Sequence, residues 1–262
     1  MRPMKGLETV SSLLREQVPT VIMTGAGISV ESGIPTFRGE EGYWREGSAV
    51  YTPMEMATYS MFSTAPERVW AWYRMRLGVC QSAEPNTGHA AVRTLGERFQ
   101  SLSLVTQNVD GLHQRAGFPV GRCFPIHGSI DRMRCSHGCP GVHKQPDWNS
   151  NEQVTREDFT CSECGGWMRP HILWFDETYS ERHYFAETAL RLASRATLLI
   201  ISGTSGNTTL PHHIHQLVLQ QGGTVLDINP ERSPFSGHHS SRSFWWKSTS
   251  TEGFKALVEA TA

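Results

Sequence analysis

The sequence predicts an α/β fold, in which a parallel β-sheet is covered by helices on both faces and carries a small inserted metal-binding module. Two observations predict the sheet. Short β-branched apolar segments alternate with helical patterns, and polar or glycine-rich residues follow each of these segments. Open α/β sheets bind their ligands at that end of their strands. A third observation predicts the module, since residues 130–170 contain two close cysteine pairs and no long apolar run.

The predicted strands and helices alternate along the chain as a parallel sheet requires. Short apolar runs that end at turn residues favour buried strands, whereas longer amphipathic segments favour helices. The predicted strands are residues 18–24, 102–106, 196–201 and 224–228. The predicted helices are residues 66–80, 89–99, 182–194 and 210–221.

The composition limits the class of protein. With 262 residues, and roughly 150 residues per domain, the chain is long enough for one large domain and a small one. Its 24 Lys and Arg nearly balance 25 Asp and Glu, which opposes an unspecific grip on nucleic-acid phosphates. No apolar run approaches the roughly 18 residues that span a bilayer, and the first ten residues lack a signal-peptide pattern. We expect no nucleic-acid or membrane partner and a cytoplasmic location, with a mitochondrial one still open.

Four of the six cysteines predict a zinc site. They lie in two short pairs, namely Cys135 with Cys139 and Cys161 with Cys164. Each short loop lets two thiolates face one ion, and four cysteine ligands leave no position for water, so the zinc would be structural. Two alternatives stay open at this stage: His137 replaces one cysteine, or the cysteines form disulfides. Cys80 and Cys123 receive no role.

A glycine-rich turn after the first predicted strand is a candidate phosphate site. The turn Gly25-Ala26-Gly27 would let backbone N–H groups approach a pyrophosphate. The next glycine, Gly33, comes six positions after Gly27, so the turn does not match the G-x-G-x-x-G pattern. Taken alone, it indicates little about function.

A polar cluster follows the second predicted strand. Gln107, Asn108, Asp110 and His113 are suited to bind ribose and amide groups. His127 is a candidate general base, because imidazole titrates near neutral pH. A lone histidine before a glycine is more often structural, so His127 alone does not decide the function.

Several motifs occur together in an order that one family shares. They are Gly25-Ala-Gly-Ile-Ser-x-x-Ser-Gly-Ile-Pro-Thr-Phe-Arg38, Thr106-Gln-Asn-Val-Asp-Gly-Leu-His113, His127-Gly128, the two cysteine pairs, Gly203-Thr-Ser205 and Asn229-Pro-Glu231. In this order the chain resembles the sirtuins, the NAD-dependent protein lysine deacylases, over roughly residues 15–260.

The resemblance implies two domains. A discontinuous Rossmann-like NAD-binding domain would comprise residues 1–129 and 171–262, with helices on both faces of its parallel sheet. Residues 130–170 would form the zinc-binding domain, and part of residues 40–88 a helical insertion at the acyl pocket. NAD and the acyl-lysine of a protein or peptide substrate would meet in the cleft between the domains. A monomer is expected.

The resemblance also implies which residues bind NAD, the co-substrate, and which one is catalytic. The implied NAD-binding residues are Gly25, Ala26, Gly27, Thr36, Phe37, Arg38, Trp44, Gln107, Asn108, Asp110, Gly203, Thr204, Ser205, Asn229, Glu231 and Ser250. His127 is implied as the catalytic base. It would take a proton from a ribose hydroxyl after the acyl oxygen has displaced nicotinamide from C1′ of the ribose.

Two residues three positions apart on a predicted helix imply a preference for acidic acyl groups. Tyr73 and Arg76 resemble the Tyr-x-x-Arg pair of class III sirtuins, which remove succinyl, malonyl or glutaryl groups. A guanidinium fork suits a distal carboxylate, and the phenol adds a hydrogen bond. Ala57, as the small residue that widens the acyl pocket, and Thr36 agree with this class. From composition alone, the pair would be ordinary residues of an amphipathic helix.

The segment His171-Ile-Leu-Trp-Phe-Asp-Glu177 resembles the part of the family that pairs with the substrate backbone as an added strand. It implies Trp174, Phe175 and Glu177 as substrate contacts. Asp176 departs from the glycine that most relatives of this subgroup carry.

The sequence therefore predicts an NAD-dependent lysine deacylase that prefers succinyl, malonyl or glutaryl groups to acetyl and yields nicotinamide, O-acyl-ADP-ribose and free lysine. One alternative is an NAD-dependent protein ADP-ribosyltransferase. Another is a zinc-ribbon module that binds nucleic acid, which the near-zero charge opposes. Five aromatic or imidazole residues fall outside these roles. A helix surface is favoured over a second metal site for His212, His213 and His215, and packing is favoured for Trp245 and Trp246.

Overall fold

The computed structural model describes residues 5–36, 53–146, 155–236 and 241–262. The strands are β1 (Thr20–Thr24), β2 (Leu102–Thr106), β3 (Cys123–Pro125), β4 (Gly128–Cys135), β5 (His143–Lys144), β6 (Met168–Ile172), β7 (Leu198–Ser202), β8 (Thr224–Ile228) and β9 (Ser243–Trp246). The helices are α1 (Leu7–Arg15), α2 (Pro53–Met56), α3 (Tyr59–Thr64), α4 (Pro66–Ser82), α5 (Thr87–Arg98), α6 (Leu112–Arg115), α7 (Glu181–Tyr184), α8 (Ala186–Ala193), α9 (Thr209–Gln220) and α10 (Ser250–Ala260). No helix in these ranges combines the length and the hydropathy that a membrane crossing requires.

A parallel sheet forms the larger layer, as predicted. Its strand order is β3-β2-β1-β7-β8-β9, and every pairing in it is parallel. The predicted strands correspond to β1, β2, β7 and β8. The edge strands β3 and β9 were missed, because neither is a continuous apolar run. Trp246, in β9, is buried in the core, which agrees with its interpretation as a packing residue.

Helices cover both faces of this sheet, which confirms the predicted arrangement. Side chains alternate along β1, so Ile22 packs on the face covered by α1, α5 and α10. Val21 and Met23 pack on the other face, against α8 and α9. Burial on both faces explains why the central strands are continuous apolar runs in the sequence.

The predicted helix at residues 182–194 is wrong, because the structure has two shorter helices there. Helix α7 ends at Tyr184 and α8 begins at Ala186, and Phe185 between them has a left-handed φ of +51°. The Phe185 ring packs edge-on against Phe124, with 5.6 Å between the ring centroids. This tertiary contact accompanies a backbone conformation that helical periodicity does not reveal.

A second, antiparallel sheet in the order β5-β4-β6 shares a core with helices α2, α3 and α4. Trp70 of α4 stacks on Phe159 at a centroid distance of 3.9 Å, and its Nε1 donates to the carbonyl oxygen of Met168 at 2.8 Å. Cys135 and Tyr73 belong to the same core. The cysteine-bearing module and the helical segment are therefore packed as one unit, while the domain boundaries stay a prediction.

The connection between the two sheets is only two residues long. Strand β3 ends at Pro125, and β4 begins at Gly128, which has a φ of +86°. A Cβ at Gly128 would lie 1.9 Å from the carbonyl oxygen of His171 in β6. Next to this contact, Leu173 N donates to the carbonyl oxygen of His127 at 3.0 Å. Only glycine permits this approach. The turn at His127 is held in place by its contacts with His171 and Leu173.

Gly128→Ala should destabilise the protein more than Gly121→Ala. Gly121 has a similar φ of +82°, but a Cβ there would meet nothing within 4 Å. Its substitution adds only left-handed backbone strain, about 1–2 kcal/mol. Gly128→Ala adds a collision with backbone, so we expect a further loss of at least about 1 kcal/mol in the free energy of unfolding, measured in urea. Equal losses for the two variants would contradict this close approach.

Candidate active site and metal centre

The predicted phosphate-binding residues lie in two loops that follow β1 and β7 and contact each other. Gly27 N donates to the carbonyl oxygen of Gly203 at 2.8 Å. A Cβ on Gly27 would lie 2.6 Å from the Cα of Gly203, so the backbones are as close as glycine permits. Gly25 and Thr204 are buried beside this contact, and Ser205 is exposed. The loops of two strands thus present their peptide groups at one edge of the sheet.

The polar residues after β2 form hydrogen bonds with the loop after β1. Asn108 Nδ2 donates to Ser29 Oγ at 3.1 Å, and Ser29 Oγ donates to Asp110 Oδ2 at 2.7 Å. Burial raises the pKa of Asp110, and the hydrogen bonds from Leu112 N and Ser29 oppose that shift. Ser29 was not predicted as a site residue, and its only signal was its place in the glycine-rich motif.

Gln107 connects the same region to the loop after β7. Its Nε2 donates to Thr204 Oγ1 at 2.9 Å, and its Oε1 accepts from Thr208 Oγ1 at 3.3 Å. The predicted ribose and phosphate contacts from β2 and β7 are therefore neighbours in space, although about 97 positions separate Gln107 from Thr204 in the sequence.

His113 lies beneath the predicted ligand-binding edge of the sheet, whereas the other polar residues of its motif lie at that edge. It is buried, and its Nε2 lies 3.0 Å from Thr24 Oγ1, which in turn donates to Thr106 Oγ1 at 2.9 Å. Burial lowers the pKa of His113 well below its usual value, so the ring is neutral near pH 7. The bond between Thr24 and Thr106 joins the ends of β1 and β2, and the neutral ring is attached to them through Thr24.

The residues predicted at the adenosine end lie after β8 and at the start of α10. Asn229 follows β8, Glu231 is exposed two residues later, and Ser250 is buried at the first position of α10. Ser250 Oγ accepts from Ser202 Oγ, at the end of β7, at 2.8 Å. These predicted contacts therefore lie at the same edge of the sheet as the two loops.

Asp227 organises this end of the site and was not predicted. Its fully buried carboxylate accepts hydrogen bonds from the side chains of Asn229, Ser233 and Ser236. Burial raises the pKa of Asp227, and the three donors oppose that shift. An acidic residue inside an apolar strand was the only sequence signal. The carboxylate holds the loop that carries Asn229 and Glu231.

His127 lies at the junction of the two sheets with both ring nitrogens engaged. Nδ1 is 2.9 Å from the carbonyl oxygen of Gln107, which can only accept, so Nδ1 carries the hydrogen. Nε2 then has a lone pair and lies 2.8 Å from the hydroxyl of Tyr179. Burial lowers the pKa of His127 to about 4, against the opposing effect of the Gln107 bond. The imidazole is therefore neutral near pH 7, the form that a general base requires.

The predicted acyl-pocket residues meet on one side of α4. Tyr73 is buried, and its hydroxyl accepts from Trp174 Nε1 at 2.9 Å. The Arg76 guanidinium lies over the Trp72 ring, 4.6 Å from its centroid. Burial raises the pKa of Tyr73 to about 12, so the phenol is neutral, although the charge of Arg76 opposes that shift. Ala57 packs in the same core.

The segment after β6 is bonded both to Arg169 of β6 and to the backbone of Ala57. Glu177 accepts hydrogen bonds from the guanidinium of Arg169 and from Trp174 N, and Arg169 lies 3.6 Å over the Trp174 ring. Phe175 N donates to the carbonyl oxygen of Ala57 at 3.0 Å, while the Phe175 ring is exposed. Trp174 and Glu177 are thus engaged within the protein, and contact with a substrate stays a prediction for all three residues of the segment.

Asp176, which replaces the glycine that the resemblance implies, caps α3. Its carboxylate accepts from Tyr59 N at 2.7 Å and from Ser60 N at 3.0 Å. A carboxylate at this position satisfies backbone donors that begin a helix and complements the helix dipole. The departure at Asp176 therefore strengthens the link between the segment after β6 and α3.

The four predicted cysteines form one cluster. The Sγ atoms of Cys135, Cys139, Cys161 and Cys164 all lie within 4.8 Å of one another. All four are free thiols, and Cys135 and Cys164 Sγ are 3.6 Å apart, too far for a disulfide. His137 Nδ1 lies beside the cluster, 3.7 Å from Cys164 Sγ. The four thiols are positioned to bind a structural zinc ion.

The histidines of α9 form no metal site in the part of the chain that the structure describes, where the four cysteines are the only such cluster. His213 is exposed, as predicted for a helix surface. His215 is instead buried, and its ring packs against Phe235 at a centroid distance of 5.1 Å. The surface interpretation is therefore wrong for His215, because the pattern did not show that Phe235 covers this face.

Three predicted NAD contacts, Phe37, Arg38 and Trp44, lie outside the described residues. Thr36 is the last described residue before them and is half-buried.

Cys161→Ser should lower the zinc content and the melting temperature. A tetrahedral site that loses one thiolate binds zinc less tightly, and zinc binding contributes to folding. Zinc released by denaturation, measured with a chromophoric chelator, should be about one ion per chain in the unmodified protein. Cys123→Ser is the matched control, because Cys123 lies in β3, outside the cluster. Unchanged zinc content in Cys161→Ser would contradict the assignment.

Comparisons with known proteins agree with this geometry. Residues 25–209 match the Sir2 family. The chain is 36% identical over 230 residues to NAD-dependent protein deacylase 1 of Caldanaerobacter subterraneus subsp. tengcongensis, covering 86% of this chain and 89% of the relative. It superposes with a TM-score of 0.81 and 32% identity on a Sir2 homologue in complex with NAD, covering 97% of this chain and 93% of the other.

A third comparison concerns a Sir2 complex with a deacetylated p53 peptide and 3′-O-acetyl-ADP-ribose. That structure is 26% identical, with a TM-score of 0.76, and the alignment covers 97% of each chain. Because the family match extends over residues 25–209 and a relative above 30% identity covers most of the chain, the protein belongs to the Sir2 family, the sirtuins.

Proposed function

We propose that this sirtuin removes acyl groups from protein lysine with NAD as co-substrate and prefers succinyl, malonyl or glutaryl groups to acetyl. The products are nicotinamide, O-acyl-ADP-ribose and free lysine. Membership of the Sir2 family and the names of the relatives support NAD-dependent protein deacylation in general. The observation that carries the proposal is the setting of His127, which hydrogen-bonds the β2 loop through its ring and the segment after β6 through its backbone.

In this proposal, NAD supplies an electrophilic C1′ on the nicotinamide ribose, which the acyl oxygen attacks as nicotinamide leaves. His127 Nε2 then removes the proton of a ribose hydroxyl, which allows that hydroxyl to attack the acyl carbon. Water completes the reaction at that carbon, and the bond to the lysine nitrogen breaks, which releases free lysine and O-acyl-ADP-ribose. The hydrogen bond from Nδ1 to Gln107 fixes the tautomer that leaves Nε2 basic. A base that is neutral near pH 7 suits this step.

The residues around His127 hold the co-substrate in this proposal. Asp110 holds the nicotinamide carboxamide, and Gln107 and Asn108 hold the ribose. The glycine-rich turn and the loop at Gly203 hold the phosphates, and the loop anchored by Asp227 holds the adenosine. The hydrogen bonds that join these loops support the assignment. Phe37, Arg38 and Trp44 complete the proposed NAD site.

The preference for acidic acyl groups rests on Tyr73 and Arg76. The guanidinium charge pairs with the distal carboxylate of the acyl group. The phenol is neutral, so it donates a hydrogen bond without repelling that carboxylate. The bond that Tyr73 accepts from Trp174 polarises its O–H and strengthens this donation. Ala57, small and buried beside them, leaves room for the longer acyl chain.

Acyl-lysine proteins or peptides are the proposed substrates. ADP-ribosyl transfer to another acceptor, the alternative from the sequence, is not favoured by the names of the relatives. A monomeric state, the absence of nucleic-acid partners and a cytoplasmic location stay predictions.

Arg76→Met should reduce kcat/KM for succinyl-lysine peptides by roughly 10- to 100-fold and change the value for acetyl-lysine little. The lost charge-assisted contact corresponds to about 1.5–3 kcal/mol in the transition state. Mass spectrometry of both peptides with NAD measures the change. Arg68→Met is the matched control, because Arg68 is exposed on the same helix. An unchanged succinyl/acetyl ratio in Arg76→Met would contradict the acidic-acyl preference.

His127→Ala should lower the rate of deacylation by at least about 100-fold and leave NAD bound, because the general base is removed and the cofactor loops are retained. His213→Ala, on the exposed face of α9, is the control and should retain full activity. Deacylation above a tenth of the normal rate in His127→Ala would remove His127 from this role. Label from adenine-tagged NAD that stays on protein after denaturation would indicate ADP-ribosyl transfer instead.

A further inference from the structure

A tyrosine hydroxyl is bound to the nitrogen that the proposed base uses. Tyr179 lies on the connection between β6 and α7, two residues after the ion-paired Glu177. Its hydroxyl is 2.8 Å from His127 Nε2, and the two ring centroids are 5.8 Å apart. No sequence motif assigned Tyr179 a role.

The direction of this hydrogen bond follows from the other ring nitrogen. His127 Nδ1 donates to the carbonyl oxygen of Gln107, so in the neutral ring Nε2 can only accept. Burial raises the pKa of Tyr179 to about 12, so its phenol keeps its hydrogen and is the donor. The Tyr179 hydroxyl therefore saturates the lone pair that must receive the substrate proton.

Tyr179 also reaches the residues proposed to hold the ribose. The side chain of Thr208 is close enough to the Tyr179 hydroxyl to oppose the rise in its pKa, and Thr208 Oγ1 donates to Gln107 Oε1 at 3.3 Å. The Tyr179 hydroxyl thus occupies the position that faces His127 Nε2, beside the Thr208 side chain of the β7 loop. A ribose hydroxyl that is to be deprotonated by His127 must occupy the same position.

We propose that Tyr179 is an internal occupant of the nicotinamide-ribose site, whose hydroxyl holds His127 Nε2 until a ribose hydroxyl of NAD displaces it. This inference rests on the proposed function, in which His127 is the base for a ribose hydroxyl. The exchange replaces one O–H donor on Nε2 by another, so no proton is transferred when NAD binds. The existing hydrogen bond competes with NAD, and the apparent affinity for NAD is lower than the site would otherwise have.

Tyr179→Phe tests the proposal, because it keeps the ring and removes only the competing hydroxyl. A net hydrogen bond of ordinary strength corresponds to roughly a 2- to 10-fold change in an equilibrium constant. We expect Tyr179→Phe to bind NAD more tightly by that factor in calorimetric titration. Tyr179→Leu, which also removes the ring, should bind NAD at least as tightly as Tyr179→Phe. A merely structural role for Tyr179 predicts weaker binding instead.

Tyr184→Phe is the matched control. Its buried hydroxyl donates to the carbonyl oxygen of Ile172 and accepts from Arg134, and neither partner belongs to the proposed NAD site. The dissociation constant for NAD should therefore not change in Tyr184→Phe. The imidazole 15N resonance of His127 Nε2 should shift in ligand-free Tyr179→Phe and stay in place in ligand-free Tyr184→Phe.

NAD binding that is unchanged or weaker in both Tyr179 variants would overturn the inference and leave the proposed function intact. If the unmodified protein binds NAD but deacylates through a base other than His127, the proposed function itself fails, and this inference fails with it. Tighter NAD binding in both Tyr179 variants, with an unchanged Tyr184→Phe control, supports the inference.

Discussion

The close contact at Gly128 is the constraint on which the rest of the site depends. The chain passes from the parallel sheet to the antiparallel one in two residues, and β4 can approach β6 only because Gly128 has no side chain. His127 is therefore held with its backbone bonded to Leu173 and its ring bonded to Gln107. The His127 ring, fixed by both sheets, lies where the loop after β2 and the segment after β6 meet, so its orientation is set by the fold.

The second sheet is stabilised by a core that it shares with the helices packed against it. A cysteine-rich module of about 40 residues cannot bury enough apolar surface to stand alone, so it combines a metal with a core shared with α4. The thiols of Cys135 and Cys161 belong to the same cluster as Tyr73 and Trp174. Arg169, almost completely buried, would be costly without its bonds to Glu177 and its position over Trp174. The cysteine cluster, the Arg169–Glu177 ion pair and the residues predicted to line the acyl pocket therefore belong to one packed unit.

The sequence predicts the parts of the fold that repeat a local pattern. The four central strands are buried on both faces, so their apolar runs identify them, whereas β3 and β9 are edge strands without such runs. The break at Phe185 was missed because helical periodicity does not reveal its left-handed backbone or its contact with Phe124 of a distant segment. The roles of Ser29 and Tyr179 were missed because their partners lie 81 and 52 positions away in the sequence. Asp227 has partners within nine positions, but the loop that brings them to its carboxylate follows no local pattern.

The α/β class, the four cysteines of the candidate zinc site, the family and the residue types of the loops after the strands could all be predicted from the sequence, because each is encoded in a short pattern or a motif with fixed spacing. Which of those residues contact one another is visible only in the folded chain. In the folded chain Glu177 accepts from Arg169, and Asp176 caps α3. His113 is buried next to Thr24, and the Tyr179 hydroxyl is bonded to Nε2 of His127. These outcomes are set by packing and hydrogen-bond geometry between distant segments, and a linear pattern carries no information about such distances.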